Sequence, residues 1–253
     1  MKVRAVAKVV VGVLAAYGLA TSSSIHALPA SFYSDPTERP AGAVALIGDS
    51  TSYAYFDGLP ASLVDERWGP FQLEVRSARR TLVTSSIATS GIDAVRRIRA
   101  GGFDPAVWII ALGTNDINIV GDTPGEAVTL INTMLDEIGA NHRVAWVNIY
   151  SRFDPVTSRA FNDALNAVAG SRSQLTVIDW YTLAAAHPEW FNPDGVHNTL
   201  TGAVARNAFV AHAAAAHVCL PAPVPSPPPA TAVIYVAGAA SASKQAVRLC
   251  SPV

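Results

Sequence analysis

The chain has 253 residues, of which 50% are hydrophobic and 15% are charged, and its formal net charge at pH 7 is -1. This composition is typical of a globular protein and excludes a disordered tail, a collagen-like repeat and a coiled coil. The near balance of acidic and basic residues provides no electrostatic basis for binding nucleic acid, so we expect no nucleic-acid partner. The length suits one domain with a short appendage.

The first 27 residues have the pattern of a secretory signal peptide. Three basic residues lie among the first eight, an apolar run covers 9–20, and a small polar stretch ends at Ala27. The apolar run is shorter than the roughly 20 residues that a membrane-spanning helix needs. We therefore predict cleavage near Ala27, no membrane span after processing, and a protein that is secreted or associated with the cell envelope. A retained N-terminal anchor is the alternative.

After a lead-in segment at 28–40, strand-like and helix-like patterns alternate over 41–217. Short apolar runs predict five strands, at 43–47, 71–76, 106–112, 144–150 and 175–180. Apolar residues at helical spacing predict four helices, at about 92–100, 124–138, 158–169 and 200–216. This alternation predicts an α/β fold in which helices cover both faces of a mainly parallel sheet.

The second of these helices has clear signals at both ends. Thr123 precedes it, Pro124 suits its first turn, Glu126 completes a capping box, and Gly139 follows its last apolar residue. We therefore expect this helix to begin at Pro124 and to end at Ile138.

The composition changes after the last predicted helix, so 218–253 is predicted to be a separate tail. Six prolines lie between 221 and 229, which favours an extended, semi-rigid segment. In an exported protein the two cysteines, Cys219 and Cys250, indicate one disulfide, whereas in a cytosolic protein they would be free thiols. Neither neighbourhood holds the set of further Cys and His ligands that a zinc site needs, so we expect no metal site, and no pattern indicates a cofactor.

Three short polar motifs lie where predicted strands end or where the last helix begins: GDS at 48–50, GTND at 113–116 and DGVH at 194–197. The first places a serine where open α/β sheets bind ligands, and the amide of Asn115 can point at a developing oxyanion. Asp194 can orient His197 as a general base. Taken alone, each motif is more typical of a structural role: a helix cap for the first, an Asx-turn for the second and a surface or capping histidine for the third. Together they indicate serine-dependent acyl transfer.

With these three motifs the chain resembles the SGNH (GDSL-type) hydrolase family over residues 41–217. The resemblance implies a flavodoxin-like three-layer α/β/α sandwich around a mainly parallel five-stranded sheet. It also implies that Ser50 is the nucleophile, that His197 is the general base and that Asp194 orients His197. The Asn115 side chain and the backbone amide of Ser50 would line the oxyanion hole.

One part of the family pattern is different in this chain. The family usually places a glycine after its second strand, and the amide of that glycine is a further oxyanion donor. Here Ala78 stands at that position, and its amide can serve if alanine can adopt the required φ angle. Gly91, which lies 13 residues further on, is the alternative donor.

Arginine and tryptophan residues provide two weaker signals. Six arginines between 76 and 99 either line a groove for an anionic polymer or form a solvated face with paired surface charges. Trp146 lies in a predicted buried strand, whereas Trp190 is close to Asp194 and is a candidate wall of the site.

The sequence therefore predicts an exported serine esterase that acts as a monomer, without a cofactor, on an acyl ester of a lipid or an acetylated glycan. The α/β-hydrolase alternative is excluded because its G-x-S-x-G elbow does not occur in the chain. An O-acyltransferase that modifies cell-envelope glycans would use the same residues. A glycan- or lipid-binding module without turnover is the third hypothesis.

Overall fold

The computed structural model describes residues 42–53, 62–63, 68–121 and 123–219. The predicted signal peptide, the lead-in segment and the proline-rich stretch lie outside the described residues. Cys250 lies outside them as well, so the predicted disulfide stays a prediction.

A five-stranded parallel sheet forms the centre of the described part of the chain. The strands are β1 (Gly42–Gly48), β2 (Trp68–Val75), β3 (Val107–Ala111), β4 (Arg143–Val147) and β5 (Leu175–Ile178). They pair in the order β2-β1-β3-β4-β5, and all four pairings are parallel. This order is that of the flavodoxin-like doubly wound fold, so the predicted fold class is confirmed.

Seven α-helices and one 3-10 helix (Pro188–Trp190) accompany the sheet in the described ranges. The α-helices are α1 (Ser50–Tyr53), α2 (Gly91–Ala100), α3 (Ile117–Val120), α4 (Pro124–Ile138), α5 (Pro155–Ala169), α6 (Trp180–Ala185) and α7 (Leu200–Cys219). The apolar faces of α2, α4 and α5 form one buried cluster with alternate side chains of β1 and β3, whereas α7 packs against β3, β4 and β5.

All five predicted strands and four predicted helices are present, and the differences concern their ends. β4 ends at Val147 rather than at residue 150 because its pairing with both neighbouring strands stops there: β3 pairs with it as far as Trp146 and β5 as far as Val147. The side chain of the next residue, Asn148, donates from Nδ2 to Asp179 Oδ1 at 2.8 Å. The apolar pattern did not show α1, α3, α6 or the 3-10 helix, which are too short for a helical period to appear.

The helix α4 has its predicted bounds, but one predicted contact at its start is wrong. Thr123 makes no side-chain cap hydrogen bond; instead its carbonyl accepts the amide of Glu126 at 3.2 Å. At the other end the amide of Gly139 donates to Leu135 O, and its φ of 86° suits glycine. The residue types predicted where the helix begins, whereas the cap contact depends on a rotamer that the sequence does not specify.

Among the helices in the described ranges, none is both long enough and apolar enough to cross a membrane.

Candidate active site

The fold brings the three polar motifs to one edge of the sheet. Ser50 begins α1 directly after β1, and Asn115 follows β3, the neighbour of β1 in the sheet. Because parallel strands end at the same edge, both residues lie at the carboxyl edge. The turn that contains Asp194 and His197 lies between the 3-10 helix and α7 and reaches the same edge.

A chain of hydrogen bonds joins Ser50, His197 and Asp194. His197 Nε2 lies 2.9 Å from Ser50 Oγ, and His197 Nδ1 lies 2.8 Å from Asp194 Oδ2. Because a carboxylate only accepts hydrogen bonds, the Nδ1 atom carries the ring proton and Nε2 is free to accept one. The side chains of His197 and Asp194 are 43% and 51% exposed, so this part of the site is open to solvent.

Local contacts hold the Asp194 carboxylate in place. Its Oδ1 accepts the amides of Val196 and His197, both at 2.9 Å. Burial by itself would raise the pKa of Asp194, but these amides and the His197 ring outweigh it and lower the pKa below its usual value. The carboxylate is therefore ionised at neutral pH and can stabilise a positive imidazole.

The turn of Asp194 also needs a glycine. Gly195 has a φ of 69°, and a Cβ at this position would lie 2.7 Å from the Cβ of Arg152. The carbonyl of Gly195 accepts the Arg152 amide at 2.9 Å. Gly195 therefore lets the turn fold closely onto the loop that follows β4.

Ala78 has an unusual backbone conformation. Its φ is 56°, and it is the one non-glycine residue with positive φ in the described ranges. For alanine the left-handed conformation costs about 1–2 kcal/mol. In the part of the chain that the structure describes, no protein acceptor is found for the amides of Ala78 and Ser50, so both can donate to a ligand.

Gly91, the alternative donor, is in a different position. Its amide donates to Arg80 O at 2.9 Å, so it has no N–H to offer. A Cβ on Gly91 would lie 2.6 Å from Leu112 Cδ1, which explains why glycine begins α2. Gly91 serves close packing, and this geometry favours Ala78 as the donor.

Asn115 is held by two acceptors on the protein. Its Nδ2 donates to Asp49 Oδ2 at 3.1 Å and to the carbonyl of Arg79 at 3.2 Å. Asp49 is fully buried, and its Oδ1 accepts the amide and the hydroxyl of Thr51. Burial raises the pKa of Asp49, while Thr51, the nearby Arg206 charge and Asn115 oppose the rise.

Asp116 is a buried carboxylate to which the sequence analysis assigned no role. It accepts the amide of Thr81 at 3.0 and 3.1 Å and the hydroxyl of Thr81 at 2.7 Å. Burial raises its pKa to about 6, although Thr81 opposes this change. Asp116 therefore ties the loop after β2 to the loop after β3; the GTND motif contains it, but a motif does not show its partner.

A small polar cavity behind Ser50 was not predicted either. The guanidinium of Arg206 is buried, donates to Ser52 Oγ at 3.2 Å and has a pKa lowered by burial to about 10. In the described ranges, Arg206 Nε and the side-chain amide of Asn198 have no protein partner. Both residues line the cavity, whose volume of about 10 Å³ matches one water molecule.

Most of the clustered arginines make contacts within the protein. Arg79 is fully buried, Arg97 pairs with Glu74, and Arg96 pairs with Glu137. Arg96 and Arg97 therefore fit the alternative of a solvated face with paired surface charges, whereas Arg79 lies inside the protein.

The two tryptophans are both buried. Trp146 is 0% exposed, as expected for a strand residue, and Trp190 is 5% exposed. The Trp190 ring stacks against the rings of His187 and Trp180, with centroid distances of 3.8 and 5.9 Å. Trp190 therefore supports the turn from within and presents no ring to a substrate.

Comparison with known sequences identifies a family. A model of the GDSL-like lipase/acylhydrolase family matches residues 46–205. Over 52 residues, 21% of the chain, the protein is 40% identical to the putative peptidoglycan O-acetyltransferase YrhL of Bacillus subtilis (strain 168). The matched part spans 8% of the length of that relative.

Solved structures with the same fold include two enzymes that act on different molecules. The C-terminal catalytic domain of peptidoglycan O-acetyltransferase A from Streptococcus pneumoniae is 18% identical, with a TM-score of 0.51, covering 70% of this chain and 91% of that one. Est24, a carbohydrate acetylesterase from Sinorhizobium meliloti, is 17% identical, with a TM-score of 0.52, covering 70% and 97%. At these identities the likeness shows the fold.

Proposed function

The chain belongs to the GDSL-like lipase/acylhydrolase family, whose members are ester-hydrolysing enzymes, and from this premise we propose that it is an exported serine esterase. The observation that carries the proposal is the hydrogen-bonded chain from Ser50 Oγ through His197 to Asp194. It is the arrangement that nucleophilic acyl transfer by a serine requires. The proposed substrates are acyl esters of a lipid or of an acetylated glycan.

In the first step Ser50 Oγ attacks the carbonyl carbon of the ester while its proton passes to His197 Nε2. The carbonyl π electrons move to oxygen and form a tetrahedral oxyanion. When the intermediate collapses, the bond to the alcohol oxygen breaks and the alcohol leaves with the proton from His197. Asp194 stabilises the positive imidazole between these events, which its lowered pKa permits.

In the second step water releases the acyl group. His197 takes a proton from the water as it attacks the acyl carbon, and the proton then returns to Ser50 Oγ as the acid departs. The exposure of His197, 43% of its side chain, lets water reach it directly. This exposure supports hydrolysis as the outcome of the acyl-enzyme.

Three donors are proposed for the oxyanion: the amides of Ser50 and Ala78 and the Nδ2 of Asn115. The two amides have no protein acceptor in the described ranges, whereas Asn115 already donates to Asp49 and Arg79. Asn115 therefore shares one N–H between the Arg79 carbonyl and the oxyanion, in a three-centre bond. Because that donor is shared, we assign it a smaller part than the two free amides.

Hydrolysis of p-nitrophenyl acetate and p-nitrophenyl octanoate by the purified protein tests the proposal. The Ser50→Ala variant removes the nucleophile, and Ser171→Ala, at an exposed serine after α5, is the matched control. We expect turnover by the wild type and the control and none above background by Ser50→Ala. Equal rates for Ser50→Ala and wild type would contradict the proposal, and a folded but inactive wild type would favour the binding module.

A second candidate function is O-acyl transfer to a cell-envelope glycan. It is favoured by the 40% identity over 52 residues to a putative peptidoglycan O-acetyltransferase. The chemistry differs in the second step alone, where a sugar hydroxyl replaces water as the attacking group.

Competition between water and sugar distinguishes the two functions. The protein is incubated with p-nitrophenyl acetate and chitooligosaccharides, and free acetate and acetylated sugar are both measured by mass spectrometry. Release of free acetate alone supports the esterase, whereas acetylated sugar that requires Ser50 supports the transferase.

A further inference from the structure

Arg79 is a fully buried arginine whose guanidinium has protein partners on each nitrogen. Its Nε donates to Thr89 O at 3.1 Å, its Nη2 to Glu74 Oε2 at 3.1 Å, and its Nη1 to the carbonyl of Glu74. A buried guanidinium is costly to keep unless such partners surround it. These contacts tie the end of β2 to the segment before α2.

A second arginine holds the partner of Arg79 in place. Arg97, on α2, donates to both carboxylate oxygens of Glu74, at 3.0 and 3.2 Å. Burial acts to raise the pKa of Glu74, but hydrogen bonds from Arg97 and Arg79 outweigh it and lower the pKa. Glu74 is therefore a fixed anion to which Arg79 is anchored.

The backbone of Arg79 lies between two of the proposed oxyanion donors. Ala78, directly before it, holds the left-handed conformation that alanine disfavours. The carbonyl of Arg79 accepts Asn115 Nδ2 at 3.2 Å. A strained residue persists where its surroundings over-determine it. The amide of Arg79 donates to Arg76 O at 3.3 Å and closes a turn around Ala78, and the buried side chain of Arg79 fixes the end of that turn.

We propose that Arg79, through its ion pair with Glu74, is a positioning residue that holds the Ala78 amide and the Asn115 side chain in one oxyanion-binding geometry. The inference rests on the proposed function and concerns one part of that site. Arg79 touches neither substrate nor reacting atoms. It acts through the conformation of Ala78 and through its own carbonyl.

Kinetics of Arg79→Met, which keeps the length of the side chain and removes its donors, test the inference. Because oxyanion donors act in the transition state, kcat falls by about 10²-fold while KM changes little. The rate of inactivation by a p-nitrophenyl phosphonate, which forms a tetrahedral adduct on Ser50, falls in parallel. Arg96→Met is the matched control, because Arg96 is an exposed arginine on α2 that pairs with Glu137.

A second variant separates positioning from general destabilisation. Glycine adopts positive φ at little cost, so Ala78→Gly in the Arg79→Met background recovers several-fold in kcat if Arg79 maintains that conformation. Where Arg79→Met does not fold, Glu74→Gln, which removes the charge and keeps the shape, replaces it and is expected to lower kcat in the same way.

The outcomes distinguish this inference from the proposed function. Activity of the wild type and its loss in Ser50→Ala test the function alone. With an active wild type, a folded Arg79→Met whose kcat lies within twofold of wild type would overturn the inference. A loss confined to KM, or one that Ala78→Gly does not relieve at all, would overturn it as well.

Discussion

The two sides of the proposed site are built in different ways. The acid–base side, Asp194 and His197, is half exposed, and its carboxylate is held by amides two and three residues further along the chain. The oxyanion side consists of Ala78, Arg79 and Asn115 and is tied to two carboxylates, the fully buried Asp49 and the half-buried Glu74.

The difference follows from the work that each side is proposed to do. A proton carrier must exchange with solvent and leaving group, so exposure is compatible with its role. Oxyanion donors contribute most when they are preorganised and do not reorient during the reaction, which requires a rigid surround. Four predictions test this difference between the two sides.

The largest expected effect is on the acid–base side. His197→Ala removes the general base, and kcat is expected to fall by on the order of 10⁴–10⁶, as for other serine hydrolases that lose this group. Steady-state hydrolysis of p-nitrophenyl acetate measures the loss. The control is His142→Ala. His142 directly precedes β4, at the end of the sheet opposite the carboxyl edge, and its ring pairs with Asp104. A His197→Ala variant with more than a tenth of wild-type kcat would exclude His197 as the base.

On the oxyanion side, Asn115→Ala is expected to lower kcat by about 10²-fold, the lower end for loss of one oxyanion donor, because this donor is shared. It also removes a hydrogen bond from buried Asp49, which is expected to cost about 1–3 kcal/mol of unfolding free energy. Kinetics and urea unfolding measure the two effects. Asn166→Ala, at an exposed residue of α5, is the control. Unchanged kcat in Asn115→Ala would remove Asn115 from the oxyanion hole.

Packing beneath the acid–base side provides the third prediction. A Cβ on Gly202 would lie 2.2 Å from the carbonyl of Trp190, which accepts the amide of Thr199. Gly202→Ala is therefore expected to lower the unfolding free energy by about 3 kcal/mol. Gly125→Ala in α4, where a Cβ meets no atom within 4 Å, is expected to be neutral or to stabilise by up to about 1 kcal/mol. Equal melting temperatures for the two variants would contradict this account.

The smallest expected effect is on the pH dependence of the unfolding free energy, through Asp116, which follows Asn115 in the chain. The pKa of Asp116 is about 6 in the folded protein against 3.8 for a free side chain. The folded state thus binds a proton more tightly than the unfolded state does. The stabilising contribution of Asp116 to the unfolding free energy is therefore full below pH 4 and is lost as pH rises through 6. The loss is at most about 3 kcal/mol, at 1.36 kcal/mol per pKa unit.

A second buried group titrates in the same window with the opposite sign. Burial lowers the pKa of His217 to about 4, so stability from His217 rises between pH 4 and 6.5. The measurement is therefore the difference in unfolding free energy between wild type and Asp116→Asn at pH 4, 5, 6 and 7. We expect this difference to change across the window; parallel curves would show that Asp116 does not titrate there.

Much of the fold follows from local pattern. Apolar runs predicted all five strands, and helical spacing predicted α4 with its observed bounds. The short helices α3 and α6 were missed because four and six residues are too few for a period to show. β4 was predicted too long because the strand-like run continues to residue 150, whereas the pairing with β5 ends at Val147.

The acid–base side is the part of the site that the sequence predicts best. Asp194 and His197 are three residues apart, so a single turn with a glycine between them brings their side chains together. Ser50 joins them because strand ends meet at one edge of a parallel sheet. These are consequences of spacing and of sheet geometry.

The contacts of the proposed oxyanion side could be identified from the tertiary structure alone. In the sequence, Arg79 is one of six clustered arginines and has no mark of its own. Its burial is made possible by Glu74 and by Thr89, which lies ten residues further along the chain. The choice of Ala78 over Gly91 rests on a φ angle and on an occupied amide, which residue type does not encode. From the sequence alone, the proposed catalytic residues could be predicted, because each lies in a short motif next to a predicted strand or helix. The contacts that orient them are visible in the structure alone, because they depend on burial and on side-chain approaches, such as that of Asn115 to Asp49, which the packed fold specifies.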